Sequence, residues 1–376
     1  MNFRNELNFS GGPGALPQSV LLQAQQAILE VPEAGLSILG ISHRSDWFAG
    51  VVAELESNIR QLLGLKDDYH VLFLQGGATQ QFSTIPTTLL RGKTAPAEYV
   101  HAGYWSGKSV SEARREGTIR VLWSGESGGF RALPHDKLPY SADAPFFHYV
   151  SNETVEGLQF HGMMGRDDVP RICDMSSDFL SRPCDAGRYS LIYAHAQKNI
   201  GPAGVTVVVL RNDLLERMSA DVPSFLNYHA HVNAHSISNT PPVFAIYVVL
   251  LATRWLLDEI GGLERMAEIN RSKAAKLYAM IDKSEEFYRG RVAVADRSMM
   301  NVVFNLPGAE LEARFLQEAE AAGFSGLAGH RTVGGIRASL YNGLTLRAVE
   351  KLIDFMEGFY AKIRRTAPRC DLKWAG

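Results

Sequence analysis

The sequence predicts an α/β protein: a large domain built on a mainly parallel sheet, then a smaller α+β domain. Three observations carry this. From about residue 17 to residue 210, short apolar runs alternate with amphipathic stretches, with Gly, Pro or polar residues between them. The run Val205-Leu210, VTVVVL, is β-branched and unbroken, as a strand buried on both faces should be. Near residue 241 the alternation gives way to two long helical stretches and sparser strands.

Taken in order, the strand candidates are Val71-Leu74, Tyr99-His101, Ile119-Leu122, Phe146-Val150, Leu191-Ala194 and Val205-Leu210. Between or before them, apolar residues at helical spacing predict helices at Pro17-Leu29, Ala49-Leu63, Gln80-Leu90 and Ser106-Glu116. After the change of pattern come a long apolar helix, Pro242-Glu259, a break at Gly261-Gly262 and a helix at Glu264-Ile281. A strand at Asn301-Asn305, a helix at Ala309-Ala322, a strand at Ile336-Ser339 and a last helix at Thr345-Ile363 complete the smaller domain. The expected division is an N-terminal segment 1–15, a large domain 16–258, a small domain 259–363 and a loose tail 364–376.

The 376 residues suffice for roughly two to three domains at about 150 residues each. A net charge of −2 argues against a nucleic-acid or membrane-surface protein, both of which need a concentrated positive field. Cys173, Cys184 and Cys370 are odd in number and match no disulfide or zinc framework, which suggests a reducing compartment. The first residues carry no apolar signal core, and the longest apolar run, Val243-Ala252, is too short to span a bilayer. A cytoplasmic protein is expected.

Two segments imitate functional motifs. GYWSGKS resembles a phosphate-binding loop, but only three residues separate Gly103 from Gly107 where the cradle needs four. His229, His231 and His235 cluster locally, yet their polar flanks predict a surface loop, and no cysteine or acidic ligand adjoins them. No metal is expected. G-x-G-x-x-G is absent, so a dinucleotide fold has no fingerprint here.

Lys198 stands out. It is the only charged residue between Arg188 and Arg211, and apolar strand candidates flank it on both sides. Burial there lowers an amine's pKa, and a lowered pKa makes it nucleophilic and able to form a Schiff base. An exposed lysine between two strands is the plainer reading and weighs about equally on local sequence. The other lysines lie in polar surroundings and are expected in solvent. A Schiff-base lysine points to pyridoxal phosphate, which also needs an acid for its pyridine nitrogen, a flat side chain on its ring and donors for its phosphate. Asp174, after the short run Arg171-Ile172-Cys173, is placed at a strand end and could be the acid; Trp105 could cover the ring. Gly76-Gly77-Ala78-Thr79, opening a helix after a strand, could hold the phosphate.

The residues then match a family. YAHAQKNIGPAGVT closely resembles the lysine motif of phosphoserine aminotransferases, in the class V branch of fold-type I pyridoxal-phosphate enzymes. The resemblance runs from about Asn8 to Tyr360. It includes NFSGGPGALP at the start, SHR at 42–44, GGATQQF at 76–82, GYW at 103–105 and NETVEG at 152–157. It continues with DMSSDFLSRPCD at 174–185, NTPP at 239–242 and GHRTVGGIRASLYN at 329–342. It implies a seven-stranded, mainly parallel sheet and transamination between O-phospho-L-serine and 2-oxoglutarate. Lys198 would form the Schiff base and shuttle the proton; Asp174 would pair with the pyridinium nitrogen. Trp105 would stack on the ring, Thr154 would bond the phenolic oxygen, and Ala78, Thr79 and Gln197 would bind the phosphate. Asn239 and Thr240 would reach that phosphate from a partner subunit, so a homodimer is implied. Arg337 resembles the α-carboxylate clamp, and His43, Arg44, His330 and Arg331 the group for the distal anion. Gly11 stands where some relatives place a serine near the substrate, and no role is carried onto it.

Overall fold

The computed structural model describes residues 4–366, so Cys370 and the tail from residue 367 lie outside the described residues. The main sheet has seven strands: β1 (Tyr69–Gln75), β2 (Ala97–His101), β3 (Ile119–Ser124), β4 (Phe147–Val150), β7 (Arg171–Asp174), β8 (Leu191–His195) and β9 (Val205–Arg211). Their order is β1-β9-β8-β7-β4-β2-β3. All neighbours are parallel except those of β9, which runs against both β1 and β8. A two-stranded ribbon of β5 (Asn152–Glu153) and β6 (Leu158–Gln159) follows β4.

The sequence marks β7 only through the short run Arg171-Ile172-Cys173 that puts Asp174 at a strand end. Its four residues begin with an arginine, and only two of them, Ile172 and Cys173, are apolar. Arg171 is nonetheless buried there, its guanidinium bonded to the backbone carbonyls of Met164, Arg188 and Arg166. A buried charge is tolerable where such acceptors meet it.

Helices α1 (Gln18–Leu29), α2 (Asp46–Leu63), α3 (Ala78–Leu90) and α4 (Tyr104–Ala113) each begin or end within a few residues of expectation. α2 starts earlier than expected because Ser45 caps it, its hydroxyl accepting from the Phe48 N–H at 3.3 Å. Its buried Phe48, Val51, Val52, Leu55 and Ile59 recur at helical spacing and join the main core. Short helices α5 (Asn212–Leu215) and α6 (Tyr228–Asn233) follow β9. α7 (Val243–Arg254) continues as a π-helical turn, Trp255–Ile260, and stops at Gly261 and Gly262, whose φ angles are +85° and +101°.

A second sheet of β10 (Arg289–Gly290), β11 (Asn301–Asn305) and β12 (Ile336–Ser339) is antiparallel throughout. α8 (Leu263–Asp282), α9 (Ala309–Ala321) and α10 (Leu346–Thr366) build its core. α10 runs three residues beyond its expected end. α8 serves both cores: Leu263 and Met266 pack with the large sheet, Leu277 and Met280 with the small one.

Candidate active site

Because β1, β2, β4, β7 and β8 run the same way, the loops leaving them emerge along one edge. That edge gathers residues far apart in sequence, as open α/β sheets do. The loop after β1 supplies Gly76–Thr79, that after β2 supplies Trp105, and that after β4 supplies Glu153 and Thr154. β7 ends on Asp174, and the turn after β8 carries Gln197 and Lys198.

Lys198 is partly buried. Its Nζ donates to Thr154 Oγ1 at 2.7 Å and to Ser177 Oγ at 3.1 Å, and lies 5.0 Å from the centre of the Trp105 ring. Burial lowers its pKa, and Asp174 is the largest influence opposing that. Asp174 is itself buried, which raises its pKa, while Lys198 pulls it back down. Its Oδ1 accepts the Ser176 N–H at 2.8 Å. The structure therefore joins an amine, an acid and an indole face, as the sequence suggests. Gly201, in the turn beyond, approaches helix α7: a Cβ there would lie 2.6 Å from Val249 Cγ2.

The N-terminus of α3 suits an anion. Its cap residue, Gly77, offers no side chain, so the first amides at Ala78 and Thr79 have no side-chain acceptor of their own. Asn239 and Thr240 lie at the rim of this loop within the same chain: Asn239 Nδ2 donates to Gln75 Oε1 at 3.3 Å, and the Thr240 carbonyl accepts from Gln75.

Two glutamates absent from the sequence reading hold Trp105. Glu153 accepts from the Trp105 N–H (3.0 Å) and the Ser106 N–H (2.9 Å); Glu156 accepts from the Tyr104 N–H (3.0 Å). Both are buried, which raises their pKa values; the charge of Glu153 raises that of Glu156 further, and the charge of Asp174 raises that of Glu153. They sit at the positive end of α4, where carboxylates are stabilised. Gly103 makes room for them, since a Cβ there would fall 2.5 Å from Glu156 Oε2. NETVEG was legible as a motif, but nothing in it says which way its acids point.

The N-terminal segment lies over the lysine. Gly14 N–H donates to the Gln197 carbonyl at 2.7 Å, and a Cβ on Gly14 would stand 2.4 Å from the Lys198 carbonyl. Arg337 packs against Gly11 so closely that a Cβ there would meet its guanidinium at 2.4 Å. Arg337 Nε is buried without a hydrogen-bond partner among the described residues, and burial lowers the group's pKa. The His330 ring packs at a tilt against Tyr104, with ring centres 4.8 Å apart, while Arg331 is exposed. His43 is partly buried and Arg44 exposed, in the segment before α2.

Two expectations need correction. His229 and His231 lie on helix α6, not in a loop, because Asn227 Oδ1 accepts from the His229 and Ala230 N–H groups, while His235 follows in a turn at φ +45°. His231 is buried, between the Phe225 carbonyl and Ser238 Oγ. The lysines other than Lys198 are not all in solvent. Lys273, in the polar-looking RSKAAK, is 0 % exposed, more deeply buried than Lys198.

The class-V aminotransferase model matches residues 7–352, most of the chain. The chain belongs to the class-V aminotransferases. A phosphoserine aminotransferase from Rhodopirellula baltica is 48% identical over 357 residues, covering 94% of this chain and 95% of that one. The structure of a phosphoserine aminotransferase from Bacillus circulans subsp. alkalophilus superposes with a TM-score of 0.91 at 43% identity, covering 94% and 98% of the two chains. A phosphoserine aminotransferase from Trichomonas vaginalis with bound pyridoxal phosphate gives 0.85 at 34% identity, covering 93% and 99%.

Proposed function

We propose that the enzyme transfers an amino group reversibly between O-phospho-L-serine and 2-oxoglutarate, giving 3-phosphohydroxypyruvate and L-glutamate. The observation that carries this is Lys198 at the strand ends, its amine between two hydroxyls, beside Asp174 and under Trp105. The 48% identity to a phosphoserine aminotransferase specifies the substrate.

The residues fit pyridoxal phosphate. The uncapped start of α3 offers amides for its phosphate, and the buried Trp105 Nε1 has no hydrogen-bond partner among the described residues. When bound, the cofactor supplies an electron sink for the charge left at the substrate's α-carbon. Lys198 would hold its aldehyde end, and Asp174 would keep its ring nitrogen protonated. Thr154 would bond its phenolic oxygen, and Ala78, Thr79 and Gln197 its phosphate. Lys198 Nζ then removes and returns the α-proton.

For the substrate, Arg337 would take the α-carboxylate, and His43, Arg44, His330 and Arg331 the distal anion. Guanidinium forks suit both a phosphate and a γ-carboxylate, so one pocket can accept both amino donors. We also propose a homodimer with shared active sites; the exposure of Arg44, and of Leu29, Leu36 and Leu39 at 72%, 56% and 69%, supports it. Asn239 and Thr240 would serve the partner's phosphate site.

We further propose a cytoplasmic enzyme of serine biosynthesis, with a second use in pyridoxine biosynthesis through 4-phosphohydroxythreonine, and without nucleic-acid or membrane partners. Among the described residues no helix is long and apolar enough to cross a membrane. The division into 1–15, 16–258, 259–363 and 364–376 is likewise a proposal, supported by the two separate apolar cores. An alanine–glyoxylate type of activity is less supported, since it gives the two His-Arg pairs no anion to bind.

A coupled assay comparing phosphoserine with serine and alanine as amino donors tests the substrate. Phosphoserine should be strongly preferred; equal rates for alanine would overturn the reading. Arg44→Ala and Arg331→Ala should each weaken phosphoserine binding by about 1.5–3 kcal/mol, a charge-assisted hydrogen bond, measured as a rise in KM or Kd.

A further inference from the structure

Lys273 lies on α8, and among the described residues its amine has no acidic hydrogen-bond partner. Its Nζ donates to three backbone carbonyls: Leu340 at 2.9 Å, Tyr341 at 2.9 Å and Leu344 at 3.0 Å. An ammonium has three N–H donors and no acceptor, so three convergent carbonyls match its charged form one for one. Burial works against that charge and draws the pKa down to about 7.

The turn that this amine closes reaches the site in two directions. The Asn342 N–H donates to Asn199 Oδ1 at 2.8 Å, and Asn199 directly follows Lys198. Asn342 Nδ2 donates to the Leu180 carbonyl, and Asn270, one helical turn before Lys273, donates to Asn342 Oδ1 at 2.9 Å. Tyr341 donates to the Gly11 carbonyl at 2.9 Å and packs against Gly14, so it holds the segment lying over Lys198. The Tyr341 hydroxyl also accepts from Asn301 Nδ2 at 3.3 Å, which fixes the ring in place.

We propose that Lys273 is a positioning residue for the reaction: its ammonium fixes the 340–344 turn, and the turn fixes Lys198 through Asn199 and through the Gly11–Gly14 segment that Tyr341 holds over it. The inference rests on Lys198 being the cofactor's lysine. That reading fails separately, if the unaltered protein develops no visible band with pyridoxal phosphate.

The experiment compares the unaltered enzyme with Lys273→Met, Lys273→Gln and Asn342→Ala, and with Lys276→Met as control. Lys276 is on the same helix but pairs with Glu350 at the surface. Three quantities are read at a temperature where each variant is folded by circular dichroism: the pH midpoint of the visible cofactor band, kcat with KM for phosphoserine, and the melting temperature of the cofactor-free protein. Lys273→Met should move the band midpoint and lower kcat about tenfold or more, as small misplacements of a reacting group do. Lys273→Gln keeps two N–H donors and should recover part of both. Asn342→Ala should move the band midpoint in the same direction, and Lys276→Met should change neither quantity. If Lys273→Met does not fold, Asn342→Ala and Lys273→Gln decide on the same readouts. Folded variants with a lower melting temperature but unaltered band midpoint and kcat would overturn the proposal, leaving Lys273 a structural residue only.

Discussion

Lys198 and Lys273 are both withdrawn from water, and they are held by partners of different kinds. Lys198 faces the hydroxyls of Thr154 and Ser177, with Asp174 nearby. Lys273 faces three carbonyls. A hydroxyl can accept from an ammonium or donate to a neutral amine, whereas a carbonyl can only accept. The first amine can therefore lose its proton and leave no unsatisfied group; the second cannot. One environment permits chemistry, and the other holds a charge in place. Depth of burial does not distinguish them in the expected direction, since the inert lysine is the more buried.

The comparison breaks most visibly at Lys198. Lys198→Ala should reduce turnover by at least about a thousandfold, as removal of a covalent catalyst does, while leaving the melting temperature of the cofactor-free protein nearly unchanged. Turnover within tenfold of normal would sink the assignment. Next in size is Thr154→Val, which takes one of the two hydroxyls from the amine and leaves Ser177. About 1 kcal/mol of hydrogen bonding is lost, so a spectrophotometric pH titration should find the cofactor band's midpoint moved, with catalysis reduced but present.

The smallest effect concerns Glu156, the buried acid at the start of α4. Burial raises its pKa from 4.5 to about 8, with Glu153 adding to the shift. A folded-state pKa above the unfolded value means the folded protein binds the extra proton between the two. The stabilisation is complete below pH 4.5 and is lost as pH rises through about 8. Glu156→Gln carries its own N–H in place of that proton. Its melting temperature should fall less between pH 6 and pH 9 than that of the unaltered protein; identical pH profiles would show that Glu156 is ionised throughout.

Much of the fold was legible because it follows from local patterning. The buried β9 declares itself in VTVVVL, and α2 in its apolar spacing, Ser45 and Gly64. β7 showed only as the short run before Asp174, since the acceptors that make a buried Arg171 tolerable come from loops at residues 164–166 and 188. The histidine helix was misread for a related reason: Asn227 looks like a loop residue in sequence and acts as a cap in space.

The sequence alone determined the alternation of elements and the motifs around Lys198, Asp174, Trp105 and Arg337, since a lone charge among apolar strands is visible in one dimension. Only the tertiary structure decided what each buried ionisable group faces. Glu153 and Glu156 under α4, and Lys273 under the 340–344 turn, owe their state to partners 47 to 71 residues away in the chain. Whether a charge is stable depends on those partners and on the water they exclude, and neither is written beside the residue itself.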